Sequence, residues 1–497
     1  MKRRGTILFA VLVMTALTAM LAAGLMFRMR AEVASAAANK SGRQAHAAAM
    51  SGIERAMMVL GASRDEVETW WDNPDAFENQ FVCDDGSSKW YFTIYARGEA
   101  DLEQVVRYGL TDEAGKININ FASRETLEAL PGMTSELVDC LMDYRDDDSE
   151  PRAEGAEQED YYDRLALPYL IKNGPLATVE ELLLVKGFNG QVVYGEDANM
   201  NGILDANEDD GEESFPLDDG DGQLNAGLVS VATVLSYEPN ADNAGKARVN
   251  INGDESELPK LQEAGLPAKT VEFIQEYRAS GKTFKHPSEL LNMRAEVRRQ
   301  VSAPSGRASR GSSGGRRGRS GRRGRSRGGS DRSARTREVT VTIESGVDSS
   351  NLAVVMDKLT VLPGGSEKPI PALVNVNTAP AAVLAALPGI DENLATRIVE
   401  TRKELDSETK STIAWLYTES VVSEDTFKAI APLLTARSYQ FHVRCVGFGV
   451  PCGRYRIIEA VIDLARGEPR IAYFRELTRL GLPFALEGED AGLQEIR

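Results

Sequence analysis

The longest apolar run of the chain lies close to its start. Residues 6–27 contain no charged side chain, whereas Lys2, Arg3 and Arg4 precede the run and Arg28 follows it. At about 1.5 Å per helical residue, a run of this length spans about 33 Å, which is enough to cross a bilayer. The pattern therefore predicts one membrane-spanning helix at 6–27.

Beyond this run the pattern of apolar and polar residues changes. Residues 28–60 are rich in Ala, Glu, Arg and Met and contain no Pro, which predicts that the helix continues. Residues 90–97 (WYFTIYAR) and 105–110 are rich in aromatic or β-branched residues and predict strands, with a turn at 111–116. Later in the chain we predict a helix over 380–405 and strands at 339–343, 352–362, 439–447, 455–465 and 470–476.

One sequence unit occurs three times. The segments KININ (116–120), RVNIN (248–252) and LVNVN (373–377) share an Asn-aliphatic-Asn core. Each leads, 14 or 15 residues after its first Asn, to a Gly, and a segment around that Gly ends in Arg in every copy. The pattern resembles helix-hairpin-helix units, in which the Gly allows a left-handed turn between two short helices. The three glycines are Gly132, Gly265 and Gly389.

Helix-hairpin-helix units that bind DNA usually carry a second Gly, which lets backbone N–H groups approach phosphate. Here Thr134, Pro267 and Asp391 replace it. Pro267 also removes an N–H group, and Asp391 places a negative charge where phosphate would lie. The sequence therefore favours small helical interaction modules, and nucleic acid is not expected as a partner.

Charge is divided between two opposite blocks. The formal charge is −18, and residues 146–221 alone hold 22 acidic and 4 basic residues. Residues 305–337 hold 12 Arg and one Asp among Gly and Ser. This basic tract has no apolar residue larger than Ala, which predicts a disordered linker; binding to nucleic acid or to an anionic surface is the alternative.

The acidic block contains a sequence that is typical of a calcium loop. DANMNGILDANE (197–208) has oxygen ligands at positions 1, 3, 5, 7, 9 and 12 and Gly at the sharp turn of position 6. Such hard ligands predict a Ca²⁺ site formed by Asp197, Asn199, Asn201, the carbonyl of Ile203, Asp205 and Glu208. A degenerate copy at 217–225 predicts a second Ca²⁺ site or a solvated acidic loop, with Asp219, Asp221 and Asn225 at positions 3, 5 and 9.

Cysteine and histidine are scarce in the chain. Four Cys and three His argue against a disulfide-dense scaffold and a His-rich metal site. Cys445 and Cys452 flank a predicted turn, where a disulfide would form in an oxidising compartment, with Cys83 and Cys140 as other possible partners. No nucleophile motif such as G-x-S-x-G is present, and no enzymatic activity is predicted.

The start of the chain resembles the leaders of type IV pilins and type II secretion pseudopilins. In those families a prepilin peptidase cuts after a Gly that ends a basic stretch. The resemblance implies cleavage after Gly5 and a mature chain that begins at Thr6. Ala10 stands where pilin-like families usually carry Glu, and this departure resembles the minor pseudopilin K class, which is placed at the filament tip.

With its leader, its Asn-x-Asn junctions and its calcium loop, the chain resembles the general secretion pathway protein K family. The resemblance implies an α+β, pilin-like fold: a long N-terminal helix on an antiparallel sheet, with a large inserted helical domain of helix-hairpin-helix (SAM-like) repeats. It also implies a minor pseudopilin at the tip of the type II secretion pseudopilus, in complex with minor pseudopilins I and J. The resemblance further implies contact with the secretin or with secreted cargo. It implies one pass through the inner membrane, with the bulk of the chain in the periplasm.

The predicted organisation has eight parts, and two other functions remain open. The alternatives are a membrane-anchored protein for DNA binding or uptake, and a minor tip subunit of a type IV pilus. The predicted parts are a leader (1–5), a membrane helix (6–27), its continuation (28–60), pseudopilin strands (61–120), an inserted α-domain with calcium loops (121–304), the basic linker (305–337), strands with the third hairpin unit (338–436) and C-terminal pseudopilin strands (437–497).

Overall fold

The computed structural model describes residues 4–98, 106–202, 204–211, 213–302, 336–363 and 369–482. Short 3-10 turns join many of its elements. The α-helices are α1 (Arg4–Ser63), α2 (Pro74–Phe77), α3 (Arg124–Glu128), α4 (Ser135–Arg145), α5 (Gly190–Tyr194), α6 (Leu258–Glu263), α7 (Ala268–Ala279), α8 (Leu352–Lys358), α9 (Ala381–Ala385), α10 (Glu392–Glu404), α11 (Trp415–Thr418) and α12 (Glu424–Ile430).

The strands are mostly short, and three long ones lie near the C-terminus. They are β1 (Gln80–Asp84), β2 (Lys89–Arg97), β3 (Val106–Arg107), β4 (Thr111–Asp112), β5 (Ile117–Asn118), β6 (Ala232–Thr233), β7 (Tyr237–Glu238), β8 (Val249–Asn250), β9 (Arg294–Ser302), β10 (Thr336–Glu344), β11 (Leu359–Thr360), β12 (Ile370–Pro371), β13 (Val374–Asn375), β14 (Leu434–Thr435), β15 (Gln440–Val450), β16 (Tyr455–Asp463) and β17 (Arg470–Glu476).

Helix α1 runs without a break through both predicted helical segments. Among the described residues it is the one helix that is long and apolar enough to cross a membrane. Its first half is exposed, whereas Ala49, Ile53 and Leu60 in its second half are buried. These residues recur at helical spacing, so one stripe of the helix packs against the rest of the chain.

A seven-stranded antiparallel sheet covers that stripe. The strand order is β1-β2-β15-β16-β17, β3 pairs with β2, and β4 pairs with β15. Strands β2 and β16 are buried over most of their length, because α1 covers one face and aromatic residues such as Tyr95 and Phe448 pack on the other. A long N-terminal helix on an antiparallel sheet is the predicted pilin-like α+β fold.

The helix approaches the sheet closely at two glycines. A Cβ atom on Gly447 of β15 would lie 2.2 Å from the carbonyl oxygen of Ala45 in α1. A Cβ on Gly52 of α1 would lie 2.3 Å from Sγ of Cys445. Both distances are far below van der Waals contact, so each position requires a residue without a side chain.

The chain forms two compact units. The first comprises Met1–Asn240 and Ser366–Arg497, and contains α1 and the sheet. The second, Ala241–Gly365, contains α6 to α8 and the antiparallel hairpin of β9 and β10. The predicted part boundaries within the chain otherwise remain predictions.

The basic tract joins the two strands of that hairpin. Residues 303–335 lie outside the described residues, so the predicted disorder is not addressed, but 336–337 belong to β10. Strands β9 and β10 pair in continuous register from Ser302 with Thr336 to Arg294 with Glu344. Both ends of the tract therefore belong to one hairpin of one unit, and the predicted disordered linker stays a prediction.

The predicted strand at 352–362 is also wrong over most of its length. Residues 352–358 form α8, and only Leu359–Thr360 form a strand. Leu352, Val355 and Met356 are the buried positions, and this is helical spacing, which a short apolar run does not distinguish from a strand. The other predicted strands are present, although 105–110 contributes only β3, and 111–112 of the predicted turn form β4.

Candidate functional site

Each Asn-x-Asn segment begins a module that closes on itself. Strands β5, β8 and β13 pair in parallel with β6, β11 and β14, respectively. Segments 117–233, 249–360 and 374–435 therefore each return to the strand with which they begin. The three repeats of the sequence are three closed structural modules.

The two Asn side chains of each segment fix the start of the module. The first Asn of each pair accepts a hydrogen bond from the backbone N–H two residues later, at 3.1 Å for Asn118, 2.8 Å for Asn250 and 2.9 Å for Asn375. The second Asn binds a distant loop. Asn120 exchanges two hydrogen bonds with the backbone of Leu176, at 2.9 and 2.8 Å.

The second Asn of module two both donates to and accepts from a distant loop, as Asn120 does. The second Asn of module three donates to such a loop. Asn252 exchanges hydrogen bonds of 2.7 and 2.9 Å with the backbone of Phe284. Asn377 donates to the carbonyl oxygens of Lys410 at 2.9 Å and Ala436 at 3.1 Å. The Asn-x-Asn pattern therefore has a structural cause, since each second Asn ties the start of its module to the loop behind its hairpin.

The Arg that ends each repeated segment has a related role in modules one and three. Arg145 donates to the carbonyl oxygens of Ile119 and Ala122, the second at 2.7 Å. Arg402 donates to those of Val376 at 3.0 Å and Ala379 at 2.7 Å. In both modules the carbonyls belong to the residue between the two Asn and to the residue three positions later. The Arg holds the second hairpin helix against the start of its module.

The hairpin glycines have the predicted left-handed conformation. Gly132, Gly265 and Gly389 have φ angles of 72°, 83° and 87°. At the position of the missing second Gly, Thr134 and Asp391 cap the following helix and accept from the N–H groups of Leu137 and Leu394. Because these caps occupy N–H groups that a phosphate would need, the hairpins are suited to packing and not to DNA.

The closing strand of each module carries a feature that the sequence reasoning missed. Each ends in a Thr whose hydroxyl accepts the backbone N–H two residues later, at 3.0 Å for Thr233 and 3.2 Å for Thr360 and Thr435. The signal is present as TVL at 233–235 and again at 360–362. A strand of two residues has no periodicity, so this signal is visible only once the Asn segments have been aligned.

The predicted calcium loop brings its described ligands together. The carboxylate of Asp197 accepts the backbone N–H groups of Asn201 and Gly202, each at 2.9 Å. The side-chain amides of Asn199 and Asn201 both point at Oδ2 of Asp205, at 2.6 and 2.9 Å. Ile203, the predicted carbonyl ligand, lies outside the described residues.

Glu208 closes this loop from its far end. Its two carboxylate oxygens accept the N–H groups of Ala198 and Asp205, each at 3.1 Å. Burial raises the pKa values of Asp197 and Glu208, and for Glu208 the charges of Asp197 and Asp205 add to the rise. The loop thus gathers anionic groups whose mutual repulsion a cation would relieve.

The degenerate second loop uses residues from outside its own register. Gly222, at its turn position, donates to Oδ1 of Asp209 at 3.0 Å, and Asn225 donates to Oε2 of Glu196 at 2.9 Å. Gly202 and Asp205 make the corresponding bonds to Asp197 and Glu208 in the first loop. Asp209 and Glu196 therefore occupy the roles of positions 1 and 12, which the sequence copy lacks.

The three predicted ligands of this second loop each accept a hydrogen bond from the backbone, and two of them are exposed. Asp219 and Asp221 are exposed, and each accepts a backbone N–H two residues later. Asn225 accepts the N–H of Gly227 at 3.1 Å. Burial raises the pKa of Glu196, and the charges of neighbouring carboxylates, Asp219 first among them, add to the rise.

The first loop is attached to the sheet by arginines. Arg444 of β15 donates to the carbonyl oxygen of Met200 at 3.2 Å, and Arg475 of β17 pairs with Glu180 at 2.7 Å. Both arginines also pair with Glu459 of β16, which lies between them in the strand register. Although burial opposes it, His442 and the two arginines hold the pKa of Glu459 below its ordinary value.

Two further predictions concern the ends of the chain. The backbone of Gly5 and Thr6 is helical, as part of α1, and cleavage between them stays a prediction. The disulfide between Cys445 and Cys452 is not formed, and Cys83 and Cys140 are free as well. Cys445 lies buried within β15 and faces α1, whereas Cys452 is exposed in the following turn.

Comparison with known proteins matches two segments of the chain. Residues 124–194 match the family Type II secretion system (T2SS), protein K, and residues 372–435 match the helix-hairpin-helix motif family. The second match coincides with module three. No curated protein sequence matches this chain.

A solved structure similar to this chain is the GspK–GspI–GspJ complex from the enterotoxigenic Escherichia coli type 2 secretion system. The identity is 11%, the alignment covers 90% of this chain and 99% of that chain, and the TM-score is 0.39. The pilin-like fold is seen in the packing of α1 on the seven-stranded sheet. The match over residues 124–194, which contain the hairpin of module one, shows that this segment is similar to protein K of the type II secretion system.

Proposed function

We propose that this protein is a minor pseudopilin of a type II secretion system, anchored in the inner membrane by α1 with its bulk in the periplasm. The observation that carries the proposal is the protein K match at 124–194, in a chain whose apolar N-terminal helix continues onto an antiparallel sheet. The role is mechanical and not catalytic. It consists of supporting pseudopilus assembly and protein export across the outer membrane.

The proposed place of the protein is the tip of the pseudopilus, with minor pseudopilins of the I and J type as partners. Ala10 supports this position, because a Glu in a membrane helix is costly without a neighbouring subunit to pair with it. The modules add bulk to the sheet, which a tip subunit tolerates because no further subunit stacks above it. The capped hairpins disfavour the alternative of DNA uptake.

Processing by a prepilin peptidase tests the pseudopilin proposal directly. We expect protein purified from membranes to begin at Thr6 when the peptidase is present and at Met1 when it is absent. Substitution of Gly5 by a bulky residue should abolish cleavage, whereas G24A, at a helix position with open space around it, should not. A chain that begins at Met1 in both strains would overturn the proposal.

We further propose that the acidic loops bind Ca²⁺. The first site would use Asp197, Asn199, Asn201, Asp205 and Glu208 with the carbonyl of Ile203, and the second would use Asp219, Asp221 and Asn225 with Asp209 and Glu196. The fit rests on the convergence of hard oxygen ligands and on the raised pKa values of buried carboxylates. The ion would supply folding free energy to this part of the chain.

Thermal unfolding of the full chain with Ca²⁺ or with a chelator tests this second proposal. A Ca²⁺ concentration 100-fold above the Kd of one site adds about 2.7 kcal/mol to the free energy of unfolding. E208Q should lose the gain that the first site supplies, because Glu208 is a buried ligand of that loop, whereas the exposed E213Q should keep it. Equal stability of the wild type with and without Ca²⁺ would contradict calcium binding.

A further inference from the structure

A second group of carboxylates lies in the protein K segment, outside the acidic loops described above. Ligand oxygens of Asp146, Asp148 and Glu157 all lie within 4.8 Å of one another. Oxygens that bind one Ca²⁺ at about 2.3–2.6 Å lie at most about 5 Å apart, so this spacing suits a shared ion. Proximity alone does not make a site, because exposed carboxylates often cluster without a ligand.

The state of Glu157 distinguishes this cluster from an exposed one. Its side chain is only 2% exposed, and among the described residues neither carboxylate oxygen has a hydrogen-bond partner. Oδ1 of Asp146 is buried and unpaired in the same way. A buried polar atom without a partner costs about 1–3 kcal/mol, and a buried carboxylate costs more, so these oxygens require a ligand or a proton.

Neighbouring groups do not supply that partner. Arg152, the adjacent cation, pairs with Asp143 and with Oδ2 of Asp146 at 2.6 Å, which leaves Oδ1 of Asp146 free of it. The backbone N–H of Glu157 donates to Asp160, so this bond leaves the carboxylate of Glu157 without a partner. The charges of Asp143, Asp146 and Asp148 act on that carboxylate, and the excess negative charge remains there.

A further buried oxygen belongs to Asn173, whose side chain contacts the backbone of Asp148. Nδ2 of Asn173 donates to the carbonyl oxygen of Asp148 at 2.9 Å, and Oδ1 of the same amide is buried without a partner. Asn173 has a left-handed backbone with φ of 41°, an uncommon conformation for a residue with a side chain. The amide is thus held at the backbone of Asp148 by a hydrogen bond.

We propose that Asp146, Asp148 and Glu157 bind a Ca²⁺ ion at a site separate from the acidic loops. The ion would satisfy the unpaired oxygens and offset the excess negative charge. Burial raises the pKa of Glu157 to about 7, and the charge of Asp143 adds to the rise, as expected for a carboxylate whose partner is missing. This inference does not depend on the role of the chain in secretion.

The number of Ca²⁺ ions bound by the full-length protein in detergent tests the proposal. After removal of metal with a chelator, Ca²⁺ alone is titrated in by calorimetry, and the bound ions are counted by equilibrium dialysis. D148N should bind one ion fewer than the wild type, and D147N should bind the same number, since Asp147 is the exposed neighbour. E157Q should also lose one ion, while the exposed E159Q should not.

Two outcomes decide against the site. If D148N and E157Q bind as many ions as their controls with unchanged affinity, the proposal is wrong and Glu157 is a neutral acid that donates to Asp146. The proposal is equally wrong if the double variant E157Q/E208Q binds as many ions as E208Q alone. The ion lost in E157Q would then belong to the acidic loop. Far-UV circular dichroism checks the folding of each variant, and D148N decides the matter should E157Q misfold.

Discussion

The Asn side chain that ties module one to its loop can be tested by changing a single group. In N120D, an oxygen replaces Nδ2, which donates to the carbonyl oxygen of Leu176 at 2.9 Å. The bond that Asn120 accepts from the N–H of Leu176 remains possible. Leu176 is only 3% exposed, so water cannot replace the lost donor.

The magnitude follows from the groups involved. One net hydrogen bond is worth about 1 kcal/mol, and a buried carbonyl left without its donor costs about 1–3 kcal/mol more. We therefore expect N120D to destabilise the closure of module one by about 2–4 kcal/mol at neutral pH. N39D makes the same change at an exposed position of α1 and should stay within about 0.5 kcal/mol of the wild type.

The pH dependence of N120D gives the reasoning a second readout. The new carboxyl group would again donate to Leu176 when it is protonated, so its pKa in the folded state must lie above the ordinary value of about 3.9. At about 1.36 kcal/mol per pKa unit, the expected loss corresponds to a rise of about 1.5–3 units. The loss should therefore grow as pH rises from about 4 to about 7, whereas N120A should lose stability equally at both values.

Native-state hydrogen exchange of peptides that contain Leu176 is the suitable assay, because a chain with two compact units does not unfold in one step. Each variant is compared with the wild type at the same pH, which removes the titration of the other carboxylates. Faster exchange in N120D at pH 7 with partial recovery near pH 4 is expected. Exchange equal to that of N39D, or a loss independent of pH, would refute the proposed role of Asn120.

Three further predictions concern the hairpins, the contact between helix and sheet, and one buried carboxylate. G132A should lower the free energy of unfolding by about 1–2 kcal/mol in thermal unfolding, because φ is 72° at this position. Nothing lies within 4 Å of the new Cβ, so the cost comes from the backbone alone. G190A, which also has open space but no positive φ, should not destabilise the protein. G447A should prevent α1 from packing on β15 and increase protease cleavage of α1, because its Cβ would lie 2.2 Å from the carbonyl oxygen of Ala45. G61A should leave the contact between α1 and β15 intact. Protease resistance of G447A equal to that of the wild type would contradict the close approach. Burial raises the pKa of Asp112 to about 6 from 3.8, so the folded state binds this proton more tightly and stability should fall as pH rises between these values. D112N should remove this pH dependence from a plot of stability against pH, and its side-chain oxygen can still accept from Thr378, Asn375 and Ser438. An unchanged pH dependence in D112N would show that other groups cause it.

Much of the fold follows from local pattern, because the pattern and its physical cause lie in the same residues. The apolar run at 6–27 predicts a helix because few other structures satisfy its backbone in a membrane. The hairpin glycines predict their turns because a left-handed φ is costly for other residues. The strands β2, β15 and β16 are long enough to show their composition.

The errors occur where the cause lies far away in the sequence. The run at 352–362 is short, and the buried contacts of Leu352 and Val355 decide in favour of a helix. Cys445 and Cys452 are close in sequence, yet the packing of α1 on β15 takes one thiol into the core.

The candidate metal ligands show the same division. Asp197 to Glu208 form a contiguous motif, so their spacing alone predicts that they converge. Glu196 completes the second loop only through its folded course, and no register in the sequence indicates it. Glu157 is separated from Asp146 and Asp148 by the turn that Arg152 stabilises, so its unpaired carboxylate becomes apparent only from burial.

The attachment of the acidic loop to the sheet means that the proposed cation would matter to the whole first unit. Arg444 joins the loop carbonyl of Met200 to Glu459, and Glu459 lies between strands β15 and β17. If the loop unfolded, Arg444 would lose its bond to the carbonyl oxygen of Met200. Arg97 would also lose the attraction of the negative charge of Asp197. A cation bound as proposed would therefore stabilise more than its own loop, because it would preserve the contacts by which module one is held on the sheet that α1 supports.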